Sequence, residues 1–143
     1  MSEKTDLVLA YLDAINAGDV EKAGDYLTDD FEFIGPMPEP MGKEAYNRLR
    51  KINSVAFPDW KFTHSDILEE GDVVKLSFGM SGTHTGVLDM SAMGMQVWEP
   101  TNNSFDIPPV TSEWTVVDGK IISLRTDPNP DAGFSGIKNQ LGL

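Results

Sequence analysis

Apolar residues recur at helical spacing along the first part of the chain and alternate along the rest. Leu7, Val8, Tyr11, Leu12 and Ile15 share one face of a helix predicted over 6–17, which Gly18 stops. Asp19 is a suitable N-cap for a second helix with Val20, Ala23, Gly24 and Leu27 at i, i+3, i+4 and i+7, ending near Thr28. Phe31 and Phe33 alternate with Asp30 and Glu32. This predicts a short strand, closed by Gly35-Pro36 and followed by a loop with Pro38 and Pro40. The stripe Ala45, Leu49, Ile52 and Ala56, with Tyr46 beside it and Pro58 just beyond, predicts a third helix over 43–56.

After Pro58 the period becomes two. Trp60, Phe62 and His64 share a face opposite Lys61, Thr63 and Ser65, and Glu70-Gly71-Asp72 turns the chain. Val74, Leu76, Phe78 and Met80 line the next strand, and continued alternation puts His84 on their side. The segment 86–111 carries Met90, Met93, Met95, Trp98, Pro100 and the pair Pro108-Pro109, which demands a bulge or a sheet edge. Trp114 and Val116 lead into an Asp118-Gly119 hairpin turn from which Ile122 and Leu124 return, with Glu113, Thr115, Val117, Ser123 and Arg125 facing outward. Three helices precede four or five strands, with no repeat or linker between them. The pattern predicts one α+β domain over 1–143, its helices packed on a curved antiparallel sheet around a cone-shaped hollow.

Composition narrows the function more than the fold. The 143 residues suffice for one core, and 40% apolar and 24% charged residues are ordinary for a globular chain. No apolar run approaches the ~20 residues that span a bilayer. The amino terminus, Met1-Ser2-Glu3-Lys4-Thr5-Asp6, lacks the basic-then-apolar order of a secretory signal, so a cytoplasmic location is expected. A net charge of −12 without a basic cluster argues against nucleic acid and anionic membranes as partners. The chain has no cysteine and no glycine-rich phosphate loop, and neither histidine has a partner at zinc spacing. Asp127-Pro128-Asn129-Pro130-Asp131 begins like a calcium loop, but Ala132 replaces its glycine and Lys138 stands where the bidentate acid belongs. Neither a metal nor a cofactor is expected.

Several short motifs carry a resemblance. They are Asn16-Ala17-Gly18-Asp19, Asp29-Asp30-Phe31-Glu32-Phe33 with Gly35-Pro36, Phe57-Pro58-Asp59, Glu70-Gly71-Asp72, Gly82-Thr83-His84-Thr85-Gly86, Asp118-Gly119-Lys120-Ile121 and Gln140-Leu141-Gly142. In order and spacing the chain resembles the SnoaL-like, polyketide cyclase-like branch of the nuclear transport factor two superfamily, which includes ketosteroid isomerase and limonene epoxide hydrolase. The resemblance implies a cystatin-like, cone-shaped barrel that forms homodimers. It also implies a deep apolar pocket, which serves cyclases, isomerases, hydrolases and binding proteins alike.

Position by position, the resemblance removes acids. The acidic residue that SnoaL-like cyclases carry after the last strand corresponds to Thr126, and alternation turns Asp127 to the other face unless a bulge beside Pro128 brings it inward. The cyclases' polar position in the preceding strand corresponds to Ser112. Of the ketosteroid isomerase groups, the tyrosine matches Tyr11, while the base and the buried acid correspond to Gly35 and Ser112. No aspartate–arginine–aspartate set of the epoxide hydrolase kind is found, with Arg125 outward.

The resulting candidates are Tyr11 as an oxyanion donor and His64 as an inward general base in place of the missing carboxylate. The alternative for either is a satisfied core side chain, and for His64 also an outward position after a bulge. The predicted pocket wall is Ile15, Phe33, Leu49, Trp60, Phe62, Phe78, His84, Trp98, Ser112, Trp114 and Thr126, with His84 expected to make a structural hydrogen bond. Met90, Met93, Met95 and Trp98 suit a flexible lid, a dimer contact or ordinary loop packing. The expected ligand is a small hydrophobic carbonyl compound. It is turned over by cofactor-free cyclase-like or isomerase-like acid/base chemistry, or merely bound by a protein that has lost the carboxylates. A third reading is an interaction module whose sheet face mediates assembly.

Overall fold

The computed structural model describes residues 2–35, 39–127 and 133–143. Part of the proline-rich loop, including Pro36 and Pro38, and most of the calcium-like segment, 128–132, lie outside the described residues.

Helix α1 (Glu3–Asn16) starts three residues before the predicted helix, because the Ser2 hydroxyl accepts from the Thr5 amide and caps it. Gly18, at φ +78°, ends the turn that follows. Asp19 caps α2 (Val20–Asp25) through the Lys22 amide. The chain then enters β1 (Leu27–Ile34), touches β2 (Met41–Gly42) and continues into α3 (Lys43–Ala56). Hairpin β3 (Lys61–Glu70) and β4 (Val73–Thr83) turns at Gly71, as the alternation predicts. A small sheet of β5 (Leu88–Asp89) and β6 (Val97–Trp98) encloses a 3₁₀ turn over Ser91–Met93. Strands β7 (Ser104–Val117) and β8 (Lys120–Thr126) form the last hairpin, whose Asp118 and Gly119 have φ +51° and +74°, the signature of a type I′ turn.

The main sheet is curved and has the order β2-β1-β8-β7-β4-β3. It is mixed, not purely antiparallel as predicted, because β1 runs parallel to β8. No local pattern encodes that pairing, since β1 reaches the sheet only after two helices have turned the chain. The Pro108-Pro109 pair sits in the bulge it requires. Register jumps from Phe78↔Val110 to Met80↔Ile107, so both prolines face the single residue Gly79. A Cβ on Gly79 would stand 3.1 Å from the Ile107 carbonyl oxygen. A second bulge, between Thr115 and Val116, pairs Val116 with Ile121 and buries Ile121 where simple alternation selects Ile122.

The narrow end of the hollow is solid core. Trp114 and Tyr11 pack with ring centroids 5.4 Å apart, and Leu76, Val116, Ile121 and Leu124 are buried with them. Asn16 ties α1 to the edge strand by accepting from the Phe62 amide at 2.7 Å and donating to its carbonyl at 3.0 Å.

A fourth helix, α4 (Gly133–Leu141), is absent from the sequence pattern. It is short and contains Gly136, so propensity argues against it. Tertiary contacts hold it instead: Ile137 and Leu141 are buried, and the Gln140 amide brackets the Asp106 backbone, accepting from its N–H at 2.6 Å and donating to its carbonyl at 2.9 Å.

Candidate functional site

Helix α3 turns a different face to the protein from the one its apolar letters suggest. Ala45, Leu49 and Ile52 are only half-buried, whereas Tyr46, Arg50 and Asn53 are buried with Ala56. These are positions i, i+4 and i+7, one residue along from the predicted stripe. They form the polar wall of a cavity of about 150 Å³. The rest of the wall is mainly apolar: Phe33 from β1, Trp60 just before β3 and Phe62 within it, Phe78 and Met80 from β4, Val110 from β7, and Phe134 and Ile137 from α4. Thr126 and Asp127, at the end of β8, complete it.

Six predicted wall residues line this cavity: Phe33, Leu49, Trp60, Phe62, Phe78 and Thr126. Ile15 lines a much smaller cavity of about 10 Å³ behind Arg50. Trp98 is half-buried outside the lining and supports the site by packing on Phe134, with ring centroids 5.7 Å apart. Ser112 and Trp114 belong to the core and not to the cavity wall. The indole N–H of Trp114 donates to the Ser112 hydroxyl at 2.8 Å, and that hydroxyl donates to the Leu76 carbonyl at 2.8 Å.

The predicted catalytic pair does not meet. Tyr11 is 1% exposed and does not line the cavity. Burial, then the neighbouring Tyr46, pushes its phenol well above the ordinary range against the pull of Arg50, so it stays protonated. Among the described residues its hydroxyl meets no partner at good hydrogen-bond geometry. His64 is exposed and lies outside the cavity lining, which corrects the expectation of an inward base. Its register opposite Phe78 keeps it in the Phe62 row, but β3 is the sheet edge. Residues 63–66 are all exposed, up to a register break at which Asp66 takes φ +56°. Alternation predicts the side of the sheet; it does not supply a cover.

His84 is fully buried away from the cavity, its Nδ1 3.1 Å from the Thr101 hydroxyl and its Nε2 without a partner. Its loop is pinned to the end of α3, since Gly86 N–H donates to the Ala56 carbonyl and Asp59 accepts from both the Thr83 amide and hydroxyl. Burial lowers the imidazole pKa, with the Gly86 backbone working the other way. Between that lowered value and the ordinary ~6.5, the unfolded chain binds the proton that folded His84 refuses, so stability falls as pH drops through this window. Denaturant melts at pH 7.5 and 5.5 are expected to show the loss, and His84→Asn to shrink the difference between them. An unchanged difference in the variant would mean that His84 is not the responsible group.

Arg50 and Asp127 are the important groups that sequence reasoning passed over or turned away. Asp127 reaches the cavity because β8 ends at Thr126. Beyond the last ladder bond, from the Asp127 amide to the Thr111 carbonyl, alternation no longer dictates direction. It stands exposed at the mouth, the one carboxylate among the described lining residues. Arg50 is 8% exposed, with its guanidinium carbon 5.2, 5.0 and 5.6 Å from the ring centroids of Tyr46, Trp60 and Phe62. The i, i+4, i+7 spacing of Tyr46, Arg50 and Asn53 was its available signal. Among the described residues, no three His, Cys, Asp or Glu side chains gather to hold a metal ion, and no helix is long and apolar enough to cross a membrane.

Helices closing a curved sheet over an internal, mostly apolar pocket with a few polar groups define the cone-shaped α+β class to which nuclear transport factor two-like proteins belong. Within that class, the chain belongs to the SnoaL-like domain family, whose model matches residues 8–124. Solved structures agree on the fold. AclR from Streptomyces galilaeus, described as a candidate hydroxylase, is 24% identical with a TM-score of 0.75, covering 99% of this chain and 97% of its own. IdmH from Streptomyces antibioticus, described as a candidate polyketide cyclase, is 23% identical with a TM-score of 0.74, covering 99% and 100%. A nuclear transport factor two-like protein of unknown function from Cytophaga hutchinsonii is 21% identical with a TM-score of 0.62, covering 89% and 90%. No curated protein matches the chain.

Proposed function

We propose that this protein binds a small hydrophobic carbonyl compound in the pocket between α3, the sheet and α4, and moves a proton beside the carbonyl without a cofactor. The observation that carries the reading is the division of the pocket wall. Apolar side chains form most of it, polar groups from α3 stand on one side, and a carboxylate stands at the mouth. A cavity of about 150 Å³ with an open mouth suits a ligand of one or two rings. Asp127 takes a proton from the carbon next to the carbonyl. The negative charge that develops on the carbonyl oxygen is received by the polar groups of Tyr46, Arg50 and Asn53, and the proton then returns to carbon. Two solved neighbours, IdmH and one from Jannaschia, are described as candidate polyketide cyclases, which agrees with carbonyl chemistry of this kind.

A binding protein without turnover is the second reading, favoured by the exposure of Asp127 and the absence of Tyr11 and His64 from the cavity wall. Exchange of the α-protons of 2-tetralone in deuterated buffer, followed by proton NMR, separates the two. The proposal expects exchange above the buffer rate. Saturable binding without exchange would leave the carrier reading, and no binding at millimolar ligand would sink both.

A further inference from the structure

The pocket holds a buried positive charge, that of Arg50, with no ion-pair partner among the described residues. The chain carries a net charge of −12, yet among the described residues the ion pairs are made by Lys4, Lys43, Arg48 and Lys75, and none by Arg50. Three aromatic rings stabilise the charge of Arg50 through their faces. They do not satisfy its N–H groups. Nε and Nη1, which carry three of the five guanidinium hydrogens, are buried without a hydrogen-bond partner among the described residues. Beside them the Trp60 indole nitrogen is also buried and unpartnered, and indole is a donor only. Arg50 and Trp60 thus bring a cation and unpaired donors to one part of the wall, in a place where leaving them unpaired is costly.

We infer that the ligand is a hydrophobic anion, whose ionised oxygen, a carboxylate or an acidic enolate or phenolate, docks on Arg50 while its ring lies against Phe33, Phe78, Val110 and Phe134. This rests on the reading of the pocket as a small-molecule site and names the chemical class that the site selects. A guanidinium prefers a planar pair of charged oxygens, which takes two parallel hydrogen bonds, over a neutral carbonyl, which takes fewer and weaker ones. Anion selection is therefore local, set against a protein whose overall charge repels anions.

The test is a pair of near-isosteric probes, 2-naphthoate and methyl 2-naphthyl ketone, titrated by calorimetry at pH 7.5. Naphthoate is expected to bind wild-type protein about ten- to a hundredfold tighter than the ketone. In Arg50→Met this preference is expected to vanish, because naphthoate loses much more affinity than the ketone does. The thermal midpoint of the variant is expected to hold or rise, because an unmatched buried charge has been replaced by an apolar side chain. Arg50→Lys, which keeps the charge and loses the fork, is expected to keep only part of the preference. The inference is overturned if the ketone binds wild type as tightly as naphthoate, or if Arg50→Met keeps the preference. Should Arg50→Met fail to fold, the wild-type ratio and Arg50→Lys decide. If neither probe binds at millimolar concentration, the small-molecule reading of the pocket itself falls, a result distinct from ketone binding alone.

Discussion

Asp127→Asn is expected to slow α-proton exchange of 2-tetralone by about 10²–10⁴-fold, the usual contribution of a positioned general base. Asparagine has nearly the same shape and keeps the mouth of the pocket polar, but it cannot accept the proton. The ketone's Kd should stay within about threefold of wild type, because the apolar wall supplies most of the contact area. Thr126→Val is the informative neighbour. Thr126 stands where the family resemblance places the acid and also lines the cavity, so this variant should leave exchange nearly intact. Equal rates for Asp127→Asn and wild type would remove Asp127 from the chemistry, even though it lines the mouth.

Trp114→Ala is expected to cost about 3–5 kcal/mol, or roughly 10–20 °C in Tm, which would leave the chain partly unfolded near 37 °C. The reasons are specific to the site. Trp114 is 1% exposed, packs on Tyr11 and Phe78, and joins strands β7 and β4 through Ser112 and the Leu76 carbonyl. Alanine would empty the volume of an indole between α1 and the sheet and would strip Ser112 of its donor. Trp114→Phe should recover part of the loss, since it refills most of the space but not the hydrogen bond. Urea denaturation with the m-value held fixed reads both variants. A loss below about 1 kcal/mol for the alanine would contradict a closed core at this end of the hollow.

Much of the wall was legible because strand alternation and aromatic size act at short range. Trp60, Phe62 and Phe78 follow directly from the period of two, and the cavity is lined by all three. The same rule misled at His64, where parity held but the strand was an edge. It misled again at Asp127, where the strand had already ended. Arg50 was hidden for a different reason. Hydropathy assigns a charged residue to the outside, so the apolar letters Ala45, Leu49 and Ile52 claimed the buried face of α3, although Tyr46, Arg50 and Asn53 occupy it.

Taken alone, the amino-acid order determined the helix caps at Asp19 and the stop at Gly18, the turns at Gly71 and Asp118-Gly119, the period of each long strand, and the family. Each of these is a property of a few neighbouring residues, where backbone sterics and local hydrogen bonds dominate. Only the tertiary structure decided that β1 lies parallel to β8, that the glycine-containing α4 forms against β7, and that an unpaired guanidinium and a terminal carboxylate share one cavity. Those outcomes depend on burial and on contacts between residues far apart in the chain. Their free energy exists only once the helices and the sheet have closed on each other.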